Sequence, residues 1–79
     1  MKGKERLVDK FLTGQKHITV RDCDNLLQIF GFKYRRSGGS HRAYHKKGER
    51  PIIVIIPKNT KYIKPEYVRN IVKRLNLEE

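Results

Sequence analysis

Cysteine and acidic residues are what this chain has least of, and both shortages narrow its chemistry. A single cysteine, Cys23, in 79 residues leaves no internal disulfide. Its place at an apolar position reads as a buried thiol in a reducing compartment. Against 19 lysines and arginines stand only 8 aspartates and glutamates, a formal net charge of +11. That excess points to a polyanionic partner, nucleic acid first. It is also uneven: residues 1–31 hold six basic and four acidic side chains, residues 32–79 thirteen and four, so the partner is expected on the second half. No apolar run approaches the roughly 18 residues of a membrane span, and MKGKERLVDK lacks the apolar core of a secretory signal. The expected compartment is the cytoplasm, with no membrane partner. Repeats, low-complexity tracts and linkers are missing too, so residues 1–79 read as one domain with a small core.

What is present alternates between two periods. Leu7, Val8, Phe11 and Leu12 line one side of a helix over residues 3–14, and Gly14 suits its end. Thr19 with Asp22 three residues on is a helix-start signature, followed by Cys23, Leu26, Leu27 and Phe30 at helical spacing before Gly31. After Gly31 the period shortens: Phe32 and Tyr34 alternate with Lys33 and Arg35, Ser37, Gly38 and Gly39 break the run, and Arg42, Ala43 and Tyr44 resume it as a hairpin. PIIVIIP, Pro51 to Pro57, reads as a third strand, central or partly covered on both faces. Pro65 then opens a helix with Tyr67, Val68, Ile71, Val72 and Leu75 on one stripe. The order predicts an α+β two-layer domain, α-β-β-β-α with an extra N-terminal helix, an arrangement shared with double-stranded-RNA-binding domains.

Three histidines carry whatever chemistry there is. His17 falls in a loop and reads as solvated. His41 and His45 are four apart on a strand, about 13 Å, too far to share a metal ion. With one cysteine and no clustered carboxylates there is no complete metal site, and no cofactor is expected. Ser40 beside His41 would point to the opposite side of a strand and makes no nucleophile pair with it. What is left is an imidazole in a cationic setting. That suits RNA cleavage, where the substrate's own 2′-hydroxyl is the nucleophile and the protein moves protons and stabilises charge. Gly38 and Gly39 permit a tight turn and let a phosphate approach backbone N–H groups. Arg35, Arg36, Arg42 and Lys58 are candidates to hold phosphates. From spacing alone the same segment also reads as a plain hairpin turn with His41 an exposed strand residue.

Gly31-Phe32, RSGGSHRAY at Arg36 to Tyr44 and IKPEYVRNIVKRL at Ile63 to Leu75 resemble the HicA family of bacterial toxins over roughly residues 20–77. The resemblance implies a messenger-RNA-cleaving toxin of double-stranded-RNA-binding-like fold (core 19–77, extension 1–18), neutralised by a HicB-type antitoxin that covers the active site. It implies that the histidine of Gly-Ser-His, here Gly39, Ser40 and His41, is catalytic. For a nuclease of this kind the residues expected to hold RNA are Arg36, Gly38, Gly39, Ser40, Arg42, Lys46, Lys58 and Lys73, read from the basic face and the glycine segment. Many members carry a second histidine just past the proline that closes the third strand. This chain has Pro57, Lys58 and Asn59 there, so that residue's role is absent or passes to Lys58. The extension reads as a helix that adds packing, sets subunit contacts or holds the antitoxin.

Two other functions use the same charge. A non-catalytic RNA- or DNA-binding module needs only the basic half and a free sheet face, where Tyr44 stacks on a base if exposed or packs in the core if not. A pure protein-interaction domain would direct the basic surface at an acidic partner.

Overall fold

A computed structural model describes residues 2–36 and 41–78, and for Lys2 and Arg36 the backbone alone. Helix α1 runs Lys2–Thr13 and a short 3-10 turn follows at Gln15–His17. Then come α2 (Val20–Ile29), β1 (Lys33–Arg36), β2 (His41–His45), β3 (Ile52–Ile55) and α3 (Pro65–Leu75). The strands form one antiparallel sheet in the order β1-β2-β3. Helical residues Phe11, Leu26, Leu27, Val68, Ile71 and Val72 share a single core cluster with Tyr44, Ile52 and Val54 of the sheet. The helices therefore cover one sheet face, the one that carries the even-numbered residues of β2 and β3. The expected two-layer α+β fold of double-stranded-RNA-binding type is what the chain adopts.

Each end of α2 follows from local chemistry. At its start Thr19 and Asp22 form a capping box: the Thr19 hydroxyl accepts from the Asp22 N–H at 3.2 Å and the Asp22 carboxylate accepts from the Thr19 N–H at 3.1 Å. At its end Gly31 takes φ +91°, a conformation that costs an L-residue with a side chain about 1–2 kcal/mol. The Gly31 N–H donates to Gln28 and the Phe32 N–H to Leu27, so Phe32 closes the last turn and joins the common core. The Gly-Phe pair thus stops the helix and starts the sheet. Asn76, with φ 54°, does the same at the end of α3, where the Leu77 N–H returns to Val72.

The N-terminal helix adds packing: Phe11 is fully buried in the common core. Lys10 of α1 also reaches the capping box, its ammonium 2.7 Å from the Asp22 carboxylate. Loops are joined as well, since the Ile63 N–H donates to the Ile18 carbonyl at 2.7 Å and Thr19 pairs with Tyr62. His17 lies exposed with its ring edge-on to Tyr62. Cys23 is fully buried; burial, with the nearby Asp24 and Asp22 charges, pushes its thiol up to about 12, so it is a packing group and no thiolate nucleophile. Among the described residues no helix is long and apolar enough to cross a membrane.

The third strand departs from expectation. Its run of β-branched residues reads as central or covered on both faces, but β3 is an edge strand with Ile52 and Val54 buried while Ile53 and Ile55 are 41% and 39% exposed. Continuous apolarity could not distinguish a buried strand from one whose second face is uncovered.

Burial pushes the Asp22 carboxyl up, but the Lys10 ammonium and the Thr19 donors outweigh it and hold the carboxyl below the ordinary value of 3.8. A carboxyl depressed in the folded state adds stability that is complete above 3.8 and is lost as pH falls through the lower folded value. Lys10→Ala should therefore unfold at a lower temperature than wild type near neutral pH, and the gap should shrink at a pH well below 3.8. A gap of the same size at both pH values would show that Lys10 acts through packing.

Candidate active site

Strand parity sorts the sheet residues before any distance is considered. Arg42 and Tyr44 of β2 face the helices, so His41, Ala43 and His45 face the uncovered side. The register extends this to the neighbours: Lys33 lies opposite His45 and Arg35 opposite Ala43 on one flank, with Ile53 opposite Ala43 and Ile55 opposite His41 on the other. The open face thus has three lanes. Cations run along β1, histidines along β2 and exposed isoleucines along β3. Ala43, only 4% exposed although on this face, forms a low floor between His41 and His45.

His41 is exposed at the start of β2. Arg35 stands diagonal to it across the β1–β2 ladder, a separation of about 7–8 Å between such positions. Lys58 is exposed three residues past Ile55, His41's partner, and so belongs to the same end of the sheet. From residue 32 to residue 65 the only acidic residue is Glu49, so no carboxylate of the sheet offsets this charge.

Opposite this face a polar clasp secures the strand. The Arg42 guanidinium makes two hydrogen bonds to the Asp24 carboxylate of α2, at 2.9 and 2.8 Å, donates to the Tyr44 hydroxyl at 3.2 Å and stacks 3.8 Å from the centre of the Tyr34 ring. The Tyr44 hydroxyl donates to the same carboxylate. Burial and the Asp24 charge push the Tyr44 phenol well above its ordinary value, so it stays a neutral donor. With its ring fully buried, Tyr44 packs in the core and offers no face to a base.

The remaining expected residues fall in several places. The Lys46 ammonium donates to the Phe30 carbonyl at 2.9 Å, over the end of α2, and sits 5.6 Å from the centre of the Phe32 ring. Lys73 is exposed on α3, in the helix layer behind the sheet. Arg36 is the last residue of β1, its backbone paired with Arg42. The Arg36 side chain and Gly38, Gly39 and Ser40 lie outside the described residues. Sequence reading passed over His45 and Lys33 as a pair: matching parity with His41 marks His45, but only the register sets Lys33 opposite it. Among the described residues no three His, Cys, Asp or Glu side chains group closely enough to hold a metal ion.

Fold and exposed face together define the class: a small α+β domain of double-stranded-RNA-binding type that presents an imidazole on a cationic sheet surface. Within that class, the model of the family described as "HicA toxin of bacterial toxin-antitoxin" matches residues 20–77. The chain belongs to this family, and as its toxin component it pairs with an antitoxin. No curated protein and no solved structure matches it. The matched region starts at the first residue of α2, so α1 and its buried Phe11 stand outside the family's shared portion.

Asp24 is the acceptor shared by Arg42 and Tyr44. Asp24→Asn should lower the unfolding free energy by about 2 kcal/mol, the cost of hydrogen bonds to a charged, partly buried partner, as read by urea denaturation. A loss under about 0.5 kcal/mol would reduce the clasp to an ordinary surface pair.

Proposed function

We propose that this toxin is a metal-independent endoribonuclease that cuts messenger RNA with His41 as general acid–base, and that its antitoxin is of the HicB type and covers the His41 face. The observation that carries the reading is the placement of His41: an exposed imidazole on the uncovered side of the sheet, diagonal to Arg35, at the end of the sheet where the Gly38-Gly39-Ser40 segment joins β2. Cleavage of RNA needs little more. The 2′-hydroxyl attacks the adjacent phosphorus as its proton passes to the imidazole, the bond from phosphorus to the 5′-oxygen breaks, the departing oxygen takes up a proton from water, and the imidazolium returns its proton to solvent. The extra negative charge on the phosphoryl oxygens is met by Arg35 and Lys58; the roles expected of the Arg36 side chain, Gly38, Gly39 and Ser40 fall outside the described residues. Nucleophile and base come from the substrate and His41, so no metal is required.

Arg42 and Lys46 support this site indirectly: the first anchors β2 to α2, the second closes the end of α2. Lys73, on the other layer, contributes to the long-range field that draws RNA in. The exposed Ile53 and Ile55 beside His41 give a protein partner apolar surface to cover on the same face, which supports the reading that the antitoxin neutralises by occlusion.

RNA incubated with wild-type protein in excess chelator should be cut, and His41→Ala should slow cutting by about 10²–10⁴-fold with an unchanged unfolding curve, because the side chain is exposed. Cleavage by that variant at a rate within a few-fold of wild type would remove the assignment. Salt-sensitive RNA binding with no product from the wild type would leave a non-catalytic binding module in its place.

A further inference from the structure

Thirteen ångströms or so from His41, at the other end of the same strand face, the surface sinks into a groove of about 580 Å³. Its walls are Lys33, Arg35, His45, Lys46 and Lys47, and its floor includes Gly31. Every side chain lining it is a cation or an imidazole. Charged surface lysines are usually just solvated, so the distinguishing features here are concavity and fixed geometry. Lys46 is held by the Phe30 carbonyl and the Phe32 ring, giving the groove one wall whose position is set by the end of α2. Gly31 keeps the floor open: a Cβ there would lie 3.3 Å from the Lys46 side chain, and φ +91° already disfavours one. Lys33 and His45 are directly opposite in the ladder, so both strands contribute a side chain to the groove.

The groove and His41 are joined by the low Ala43 floor on one continuous face, with Arg35 bordering both. A ligand that fills the groove and also presents a reacting linkage to His41 must be linear and negatively charged at regular intervals, which describes a nucleic-acid strand better than a folded acidic surface. We propose that the Lys33–His45–Lys47 groove is a phosphate subsite that grips the RNA strand on the order of two nucleotides from the linkage at His41. The proposal rests on the nuclease reading for its substrate class. It adds a consequence which that reading lacks: kcat/KM rises with substrate length until the RNA spans both positions, because a shorter RNA lacks the groove's contacts. Bases of the bound strand then lie toward β3, over Ile53 and Ile55, while the phosphates follow the cationic lane on β1.

The test separates affinity from chemistry. An oligonucleotide carrying 2′-O-methyl at every position has no attacking hydroxyl and reports binding alone. For the double variant Lys33→Ala/Lys47→Ala, the dependence of log affinity on log salt should become shallower by about 1.4, the value for two lost contacts to a single strand. Lys16→Ala/Arg69→Ala, which removes the same charge from exposed positions on the helix layer, should leave the slope near wild type. On cleavable RNA the groove variant should lose kcat/KM on long substrates and keep it on a dinucleotide. If wild type fails to cut, or His41→Ala cuts normally, the nuclease reading falls while the slope measurement still decides the groove. An unchanged slope, or an equal change in both double variants, overturns the subsite. So does a variant that binds RNA normally and no longer binds the antitoxin, since the groove would then belong to the protein partner.

Discussion

The clasp of Asp24 with Arg42 and Tyr44 is the contact on which the rest of the surface depends. A strand's side chains alternate, and a shift of one residue exchanges its faces. Asp24 on α2 accepts from two residues of β2 that share parity, so it selects which half of HRAYH turns inward. Once Arg42 and Tyr44 point to the helices, His41, Ala43 and His45 point out. Hydrophobic pattern alone would decide this weakly, because β2 has few apolar residues and His41 and Arg42 are both polar. The bidentate guanidinium, flanked by Tyr34, supplies the missing specificity.

Much of the fold was legible because it is written in local chemistry. The Thr19–Asp22 box, Gly31 in the left-handed region, the hairpin alternation and Pro65 at a helix start each act over a few residues, and each stands where the sequence pattern expects it. What could not be read depends on partners far apart in the chain. Arg42 looks like a phosphate ligand until Asp24, 18 residues earlier, is seen beside it. Lys46 likewise looks like a free cation in a basic turn, and its ammonium instead meets the end of α2, 16 residues back. In both cases a charge counted toward a ligand is engaged with the protein itself. Ile53 and Ile55 err in the other direction: residues expected to be covered lie open, because nothing in a run of isoleucines says whether a second layer exists.

The open face is consequently more informative than the charge total. It is ordered across its width, cations to imidazoles to aliphatic side chains, and a nucleotide has the same order from phosphate through sugar to base. On the proposed function this surface has to be open to RNA and still be closable by the antitoxin. The uncovered Ile53 and Ile55 next to His41 would serve both demands on that reading, as a bed for bases and as apolar area for a protein. The N-terminal helix, outside the family's shared region, takes no part in this face; its Phe11 and Lys10 reinforce the helix layer behind it.

The central claim is that RNA attacks itself while His41 moves the proton, and the chemistry of the product ends tests it most directly. RNA cut in chelator by wild-type protein should yield upstream fragments ending in a 2′,3′-cyclic phosphate and downstream fragments beginning with a 5′-hydroxyl. A 5′-phosphate on the downstream fragment would mean that water was the nucleophile, and would contradict the account.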